Sequence, residues 1–181
     1  MNTRFAVLSG LLMTAAALAG CASGETGTLG VHVTDAPGAI GDFSSLTIVV
    51  SEIVLKVKDK EGMEKEAAFA PAAASFDLVK LLNGNLTTLF RDDVPAGNYS
   101  KMELVISSAS GVLKADGSAV TVKAPKGSIF LPTKFTVEAG KEVDFLFDIH
   151  VVSKGSGDYS LQPNAGGSKT IAKPTDGKVP A

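Results

Sequence analysis

Apolar and polar residues alternate along most of the chain after residue 27, as they do in half-buried β-strands. Leu46 to Val57 is a long β-branched stretch whose apolar phase shifts, which predicts a bulge near Glu52. Tyr99 to Ser107 alternates as well. The most regular run is Glu142 to His150, where every second residue from Val143 is apolar. We therefore predict a sheet with these runs among its main strands.

Turn signals separate these runs at the intervals typical of hairpins. Ala115 to Ser118 contains Asp-Gly and lies between two short alternating runs, which predicts a hairpin. The one helical pattern is Leu78 to Leu82, which ends at Asn83-Gly84. The runs add up to about eight or nine strands at hairpin spacing. The predicted fold class is all-β, an antiparallel β-sandwich with one short helical turn.

The beginning of the chain differs from the rest. Arg4 supplies a positive charge and Phe5 to Ala19 carries none, which is typical of a secretory signal peptide and too short for a membrane span. The stretch ends in Leu18-Ala19-Gly20-Cys21, which resembles the lipobox of bacterial lipoproteins. We expect cleavage before Cys21, whose thiol would take a diacylglycerol, so that palmitate and a membrane anchor are expected.

These signals divide the chain into a signal peptide at 1–20, a lipidated tether at 21–27, a β-sandwich domain at 28–163 and a flexible tail at 164–181. The tail is rich in Gly and Pro and poor in apolar residues, so we expect it to fray. The expected location is the bacterial cell envelope, where the lipid holds the domain at the membrane. Ala22 and Ser23 after the cysteine resemble a signal for the outer membrane, if the source has two membranes.

Composition excludes several functional classes. The formal net charge of -2 offers no electrostatic basis for binding nucleic acid. Cys21 is the only cysteine, so an internal disulfide is excluded and the domain must rely on its core. The chain has two histidines and no Gly-x-Ser-x-Gly motif, so we do not expect a nucleophilic enzyme, and we expect no cofactor apart from a metal ion.

The polar residues of the Glu142 to His150 run suggest a metal site. Asp144, Asp148 and His150 lie on the face opposite the phenylalanines. Side chains two residues apart on one face of a strand are separated by about 6.8 Å along the strand. His32 on a neighbouring strand, and Asp35 after it, would complete a ligand set for calcium or a transition ion. The alternative is that these side chains keep a solvent-facing sheet surface polar.

This pattern also predicts how the two faces of the run respond to substitution. Phe145→Ala should destabilise the fold by about 3 to 5 kcal/mol if its face is core. Asp144→Ala should cost little if its face is exposed to solvent.

Further aspartates lie in predicted turns, where oxygen-rich loops of exported β-domains often bind calcium. They are Asp35, Asp42 and the pair Asp92-Asp93. The spacing around Asp35 does not match an EF-hand loop. We interpret Asp35, which precedes Ala36-Pro37, as a turn former that hydrogen-bonds its own backbone.

Sugar binding usually requires exposed aromatic rings. The chain has no tryptophan, and alternation assigns Phe145 and Phe147 to the core. Tyr99 and Tyr159 remain as candidates. Tyr99 follows Pro-Ala-Gly-Asn, a position typical of a tyrosine that packs at a corner and hydrogen-bonds locally.

Four stretches of the chain occur in an order that resembles a known family. They are Gly27 to Pro37, Phe76 to Gly84, Val94 to Tyr99 and Val143 to Asp148. Together they resemble the exported prokaryotic family catalogued as domain of unknown function 4382, over about Gly27 to Pro163. The resemblance implies an exported β-sandwich, in lipoprotein or secreted form, and transfers no catalytic residue.

The sequence therefore predicts a lipoprotein that is not an enzyme and that serves as a binding or structural module of the envelope. Its expected partners are the membrane, through the lipid, and an envelope protein or glycan. Two alternatives stay open, a metal-binding domain and a carbohydrate-binding module.

Overall fold

The computed structural model describes residues 25–58 and 62–180. Cys21 and the predicted signal peptide lie outside these residues. The described strands, in chain order, are β1 Thr26–Asp35, β2 Phe43–Lys58, β3 Glu64–Phe69, β4 Ser75–Asp77, β5 Thr87–Pro95, β6 Gly97–Leu113, β7 Ala119–Lys123, β8 Ser128–Val137, β9 Glu142–Ser153, β10 Tyr159–Pro163 and β11 Lys169–Ile171. Short 3-10 helices lie at Ala39–Asp42, Leu78–Leu81 and Pro125–Gly127.

The strands form one sheet in the order β3-β2-β6-β7-β10-β9-β1-β5, with β4 on β2, β8 on β6 and β11 on β9. The all-β prediction is confirmed. The antiparallel prediction is wrong, because β1 pairs with β9, and β7 with β10, in parallel. Parallel strands need a long crossover connection, and β2 to β8 separate β1 from β9 along the chain. Local patterns of alternation carry no information about such distant pairing.

The sheet curls so that its two halves pack around a shared core. Phe135 of β8 stacks on Tyr99 of β6 and also meets Phe145 of β9, with ring centroids 5.0 Å apart in both pairs. Phe43 of β2 and Tyr159 of β10 meet at 4.8 Å. Contacts of this kind add to the stabilisation from buried area. The apolar face of β9 therefore lies in the core, as its alternation predicted.

The bulge predicted in β2 is confirmed next to Glu52. The pairing of β2 with β6 is irregular on both sides of Val50 and skips Ser51. The apolar residues on both sides of the bulge are buried, although their phase along the strand differs; they are Leu46, Ile48, Val50, Ile53, Leu55 and Val57. The extra residue thus restores the inward direction of the second half of the strand.

The two local turn predictions are also confirmed. Ser118 donates its backbone N–H to Asp116 Oδ1 at 2.9 Å in the hairpin turn, and Gly117 has a positive φ of 72°. The helical turn predicted at Leu78 is the 3-10 helix Leu78–Leu81, which Asp77 caps by accepting a hydrogen bond from Val79 N at 3.1 Å. Both turns depend on neighbouring residues only, which is why the sequence predicts them.

More strands form than the eight or nine predicted, because several strands do not alternate. β3 has no fully buried residue. β5 carries a bulge: its pairing with β1 passes from Phe90 to Thr88 and skips Leu89. A strand with an extra residue loses the regular period of two.

The segment predicted to be a flexible tail is hydrogen-bonded to the sheet as far as it is described. β11 pairs with β9. Leu86 donates its N–H to Gly177 O at 2.9 Å, and Val179 donates to Gly84 O at 2.8 Å. The sequence predicts that residues 164–181 fray, whereas in the structure backbone hydrogen bonds connect 164–180 to the rest of the fold, although this segment has few apolar residues.

Candidate functional site

The polar face of β9 is buried. Asp144, Leu146 and Asp148 are 4%, 3% and 7% exposed. β9 has β1 along one edge and β10 and β11 along the other, and Lys173 after β11 reaches Glu142 Oε2 at 2.7 Å. The expectation of a solvent-facing row is therefore wrong. Alternation shows that two faces of a strand differ, and it does not show whether the polar face is covered.

Asp144 belongs to a group of four side chains that we call the Asp144 cluster: Asp144, His32, Arg91 and Thr88. His32 Nε2 lies 2.7 Å from Asp144 Oδ1, and His32 Nδ1 lies 2.9 Å from Thr88 Oγ1. Arg91 Nη2 contacts the same Asp144 oxygen, and Arg91 Nη1 lies 3.5 Å from Glu142 Oε2. The cluster therefore ties together the neighbouring strands β5, β1 and β9.

Gly30 makes room for this cluster. It lies opposite Asp144 in the parallel pairing of β1 with β9. A Cβ at position 30 would overlap both Asp144 Oδ1 and Arg91 Nη2. The absence of a side chain at Gly30 thus lets Arg91 reach across β1 to Asp144.

Burial lowers the pKa of His32, and the Arg91 charge acts in the same direction, against the hydrogen bond and charge of Asp144, which raise it. His32 is accordingly neutral at pH 7, with Nε2–H donating to Asp144 and Nδ1 accepting from the Thr88 hydroxyl. A hydroxyl, an imidazole and a carboxylate in this order can activate a nucleophile. Here Arg91 also holds the carboxylate, and Thr88 sits within the β5–β1 ladder. We interpret the cluster as a structural connection between strands.

Asp148, four residues further along β9, is only partly satisfied. Asn164 Nδ2 donates to its Oδ2 at 2.9 Å, whereas its buried Oδ1 accepts no hydrogen bond from any described residue. Asp35, the last residue of β1, is 7% exposed, and neither of its carboxylate oxygens has a partner in the described part of the chain. Asp35 lies opposite Ile149 in the pairing of β1 with β9, and Asp148 lies opposite Thr34, so the two side chains belong to opposite faces of the sheet.

A loop over residues 164–168 closes around Asp148. Asn164 N–H donates to Asp148 O at 2.9 Å, and Asp148 N–H donates to Ser168 Oγ at 2.9 Å. A Cβ at Gly167 would overlap Asp148 Oδ2, so a glycine is required for this approach. The loop fixes the backbone and one carboxylate oxygen of Asp148 and leaves the other oxygen without a donor.

Asp35 and Asp148 both have perturbed acidity. Burial raises the pKa of Asp35 to about 7, and the negative charge of Asp148 raises it as well. Burial also raises the pKa of Asp148, although Asn164 and the charge of His150 lower it. Both shifts show that the charged forms of these carboxyl groups are poorly stabilised by the surrounding protein.

The structure separates the five predicted metal ligands. His32 lies with Asp144, Asp35 lies opposite Ile149 at the end of β1, and His150 is half-buried further along β9. Among residues 25–58 and 62–180, no three His, Cys, Asp or Glu side chains are placed so that they could hold a metal ion together. A single centre that uses all five residues is therefore not formed.

The other aspartates of the predicted turns have protein partners. Asp42 accepts a hydrogen bond from the Tyr159 hydroxyl at 3.0 Å, and Asp92 accepts one from Asp93 N at 2.8 Å. Asp35 differs from them. Its interpretation as a turn former that hydrogen-bonds its own backbone is wrong, because neither of its carboxylate oxygens accepts such a bond.

Neither tyrosine offers an exposed ring. Tyr99 is 1% exposed and donates its hydroxyl to Pro95 O at 2.6 Å, which confirms the local corner. Burial raises the pKa of Tyr99 to about 12. Tyr159 is 7% exposed and packs on Phe43. A sugar cannot stack on either ring in this structure.

An exposed aromatic ring is found elsewhere. Phe130 of β8 is 54% exposed and borders a cleft of about 780 Å³ that Leu161 and Pro163 also line. Lys101 Nζ lies 5.7 Å from the centre of the Phe130 ring. Composition and alternation do not distinguish this phenylalanine from those of the core.

Sequence reasoning missed three residues of these clusters. Thr88 and Arg91 lie on β5, whose bulge hides its alternation, and Asn164 lies in the segment taken for a tail. The Gly166-Gly167 step beside Asn164 was the available signal for a tight loop at this position.

In the described part of the chain, no helix has the length and apolar character needed to cross a membrane. The fold defines an all-β protein built on one curled, mixed sheet, with polar clusters beside its central strand β9. The family described as domain of unknown function, DUF4382, matches residues 26–163, and the chain belongs to this family. The match includes Asp35 and Asp148 and ends just before Asn164. No curated protein and no solved structure matches the chain.

Proposed function

We propose that the chain is a lipid-anchored protein of the bacterial envelope, palmitoylated at Cys21, in which the halves of the curled sheet act as the layers of a β-sandwich. Its role is binding or structural rather than enzymatic. The sequence Leu18-Ala19-Gly20-Cys21 supports the anchor, and the position of the first described residues supports its attachment at one end of the sheet. Glu25 O accepts a hydrogen bond from Ala96 N at 2.8 Å, and Thr26 O accepts one from Gly140 N at 2.8 Å, so the chain enters at one end of the sheet.

The direction of β1 then determines how an anchored domain would be displayed. β1 is ten residues long and runs from Thr26 to Asp35, a distance of about 30 Å along an extended strand. A lipid on Cys21, just before Glu25, would keep the start of β1 near the membrane. The end of the sheet that carries Asp35 would face away from the membrane.

Several separate segments meet at this membrane-distal end. Thr34 donates its hydroxyl to Asn85 O at 2.8 Å, and the chain around Asn85 pairs with the segment around Lys178. Such an end is accessible to a partner while the lipid remains in the membrane. The proposed partners are an envelope protein or a glycan, and the outer membrane is the proposed location in a source with two membranes.

Metabolic labelling with a palmitate analogue tests the anchor. Wild-type chain should take up the label and sediment with membranes. Cys21→Ala should lose the label and the membrane association, whereas the neighbouring change Ser23→Ala should keep both. Label on Cys21→Ala, or an unlabelled wild-type chain, would contradict the proposal.

A separate assay tests the non-enzymatic role. The purified chain should not hydrolyse a panel of activated esters above the rate of a Thr88→Val variant, since we assign Thr88 to a structural hydrogen bond. Hydrolysis that disappears in a folded Thr88→Val variant would show that the Asp144 cluster is an active site.

A further inference from the structure

We propose that the cleft beside Phe130 binds a carbohydrate. The cleft has a volume of about 780 Å³ and lies between β8, which carries Phe130, and β10, which contributes Leu161 and Pro163. In the described part of the chain, β8 pairs with β6, and β10 pairs with β7 and β9, so the two strands border the cleft without bonding to each other. Clefts of about 300 to 1,000 Å³ are typical of binding sites for small ligands.

Phe130 presents an aromatic ring to this cleft. It is 54% exposed, whereas its neighbours Ile129 and Leu131 are each 2% exposed and face the core. Since successive side chains of a strand point to opposite faces, Phe130 projects outward. Lys101 Nζ lies 5.7 Å from the centre of the ring and can occupy only one of its two faces. The C–H groups of a sugar can pack on an exposed ring of this kind, which neither tyrosine of the chain offers.

Glu103 is a fixed hydrogen-bond acceptor next to the ring. It lies opposite Phe130 in the pairing of β6 with β8, so both side chains project from the same face of the sheet. Its carboxylate lies 2.5 Å from Lys101 Nζ and accepts a hydrogen bond from Ser128 Oγ at 2.6 Å. These hydrogen bonds lower the pKa of Glu103, so its carboxylate is charged at pH 7. A carboxylate has about four lone-pair sites, so Glu103 can accept further hydrogen bonds from a ligand.

The polar groups of the cleft match the hydroxyl groups of a sugar. Lys126 and Gln162 also line the cleft. The cleft therefore presents donors on Lys126, acceptors on Glu103 and groups of both kinds on Gln162. A sugar hydroxyl both donates and accepts, so it can bond to each of these side chains. A purely apolar ligand would bury them without partners, at a cost in free energy.

The edges of the cleft are poorly suited to an added peptide strand. Strand addition uses the backbone N–H and C=O groups of an exposed edge. Pro132 of β8 and Pro163 of β10 both line the cleft and have no N–H to donate. We therefore favour a glycan over a protein as the partner at this cleft.

This inference rests on the proposed binding role and names its ligand class. Glu103 follows Gly97, the first residue of β6, by six positions, which is about 20 Å along an extended strand. Gly97 comes directly after Ala96, which bonds to Glu25 at the end of the sheet where the chain would be anchored. The cleft would thus stand clear of the membrane surface. A Cys21→Ala chain should bind the same oligosaccharide as the wild type, which separates a failure of this proposal from a failure of the anchor.

A glycan array probed with the purified full chain tests the proposal. The chain is kept in a detergent without a sugar head group, and the array carries oligosaccharides of hexoses and N-acetylhexosamines. The wild type should bind at least one of them, and calorimetry then measures its affinity. Phe130→Ala and Glu103→Gln should each weaken this binding by about tenfold or more, since they remove the stacking ring and the charged acceptor. Phe130→Tyr keeps an aromatic ring and should bind nearly as the wild type does.

Met63→Ala is the matched control, because it removes another exposed apolar side chain, 58% exposed, that does not line the cleft. It should bind as the wild type does, and thermal melts check that each variant is folded. A wild-type chain that binds no glycan of the array would overturn the proposal. Wild-type affinity in Phe130→Ala, or an equal loss in Met63→Ala, would overturn it as well. Binding of a displayed peptide library that depends on Phe130, with no glycan bound, would assign the cleft to a protein partner instead.

Discussion

Asp144 and Asp148 are four residues apart on one face of β9 and are buried to nearly the same extent, yet their surroundings differ. Asp144 is held by the buried imidazole of His32 and the guanidinium of Arg91. Asp148 has one amide donor, from Asn164, and its second carboxylate oxygen accepts no hydrogen bond from the described residues. The same side chain on the same strand can thus complete a structural connection or remain only partly hydrogen-bonded. Charge compensation from neighbouring strands decides between the two.

The opposite, apolar face of β9 is the reference for this comparison. A substitution on that face should cause the largest loss of stability. Phe145→Ala should lower the free energy of unfolding by about 3 to 5 kcal/mol, because the ring is 1% exposed and packs on Phe135. Urea denaturation measures the change. Phe130→Ala removes an exposed ring of the same size and should change stability by less than about 0.5 kcal/mol. Similar losses in both variants would contradict the placement of the core.

Asp144→Ala should lower the free energy of unfolding by about 3 kcal/mol, since it leaves Arg91 and the buried His32 without their acceptor. This reverses the small effect that the sequence pattern predicts. Urea denaturation of Asp144→Ala, of Arg91→Met and of the double variant measures the coupling. The double variant should lose less than the sum of the single changes. Additive effects would show that Arg91 and Asp144 do not interact.

Substitution of two glycines, one beside Asp144 and one beside Asp148, should have the next largest effects on stability. Gly30→Ala should cost about 2 kcal/mol, because its Cβ would overlap Asp144 and Arg91 in the interior of the sheet. Gly167→Ala should cost less, because the loop over 164–168 lies outside the strands, so a shift of the loop disturbs no strand pairing. Thermal melts of both variants in EDTA compare them. A larger loss for Gly167→Ala would mean that the loop is the more rigid element.

The pH dependence of stability in EDTA should differ between wild type and Asp35→Asn. The folded pKa of Asp35 is raised from 3.8 to about 7, so the folded state keeps its proton where the unfolded state has lost it. Wild-type stability should therefore fall as the pH rises through this window, by at most about 1.4 kcal/mol per pH unit. Asp35→Asn should lack this contribution.

His32 contributes to the pH dependence of stability in the opposite direction. Its lowered pKa means that stability decreases as the pH falls below 6.5, because the unfolded state then binds a proton more readily. His32 is present in both chains, so its effect cancels when the pH profile of stability for Asp35→Asn is subtracted from that of the wild type. Parallel pH profiles for the two chains would show that Asp35 titrates normally.

The sequence predicted the elements that depend on neighbouring residues. The alternation of β2, β6 and β9, the Asp-Gly hairpin turn and the turn at Leu78 are all present. It did not predict β5 or the pairing of the C-terminal segment. β5 has a bulge at Leu89, and residues 164–180 contact the sheet mainly through backbone hydrogen bonds, which any sequence can form.

The candidate sites show the same division. By itself, the sequence determined which residues carry carboxylates and imidazoles and that Phe145 faces the core, because these follow from residue type and strand period. The tertiary structure alone decided that His32 meets Asp144 across 112 residues of chain and that Asp35 and Asp148 are buried with carboxylate oxygens that accept no hydrogen bond from the described residues. The meeting of His32 with Asp144 results from the parallel pairing of β1 with β9. Such pairing depends on how the whole intervening chain packs, which no local pattern encodes.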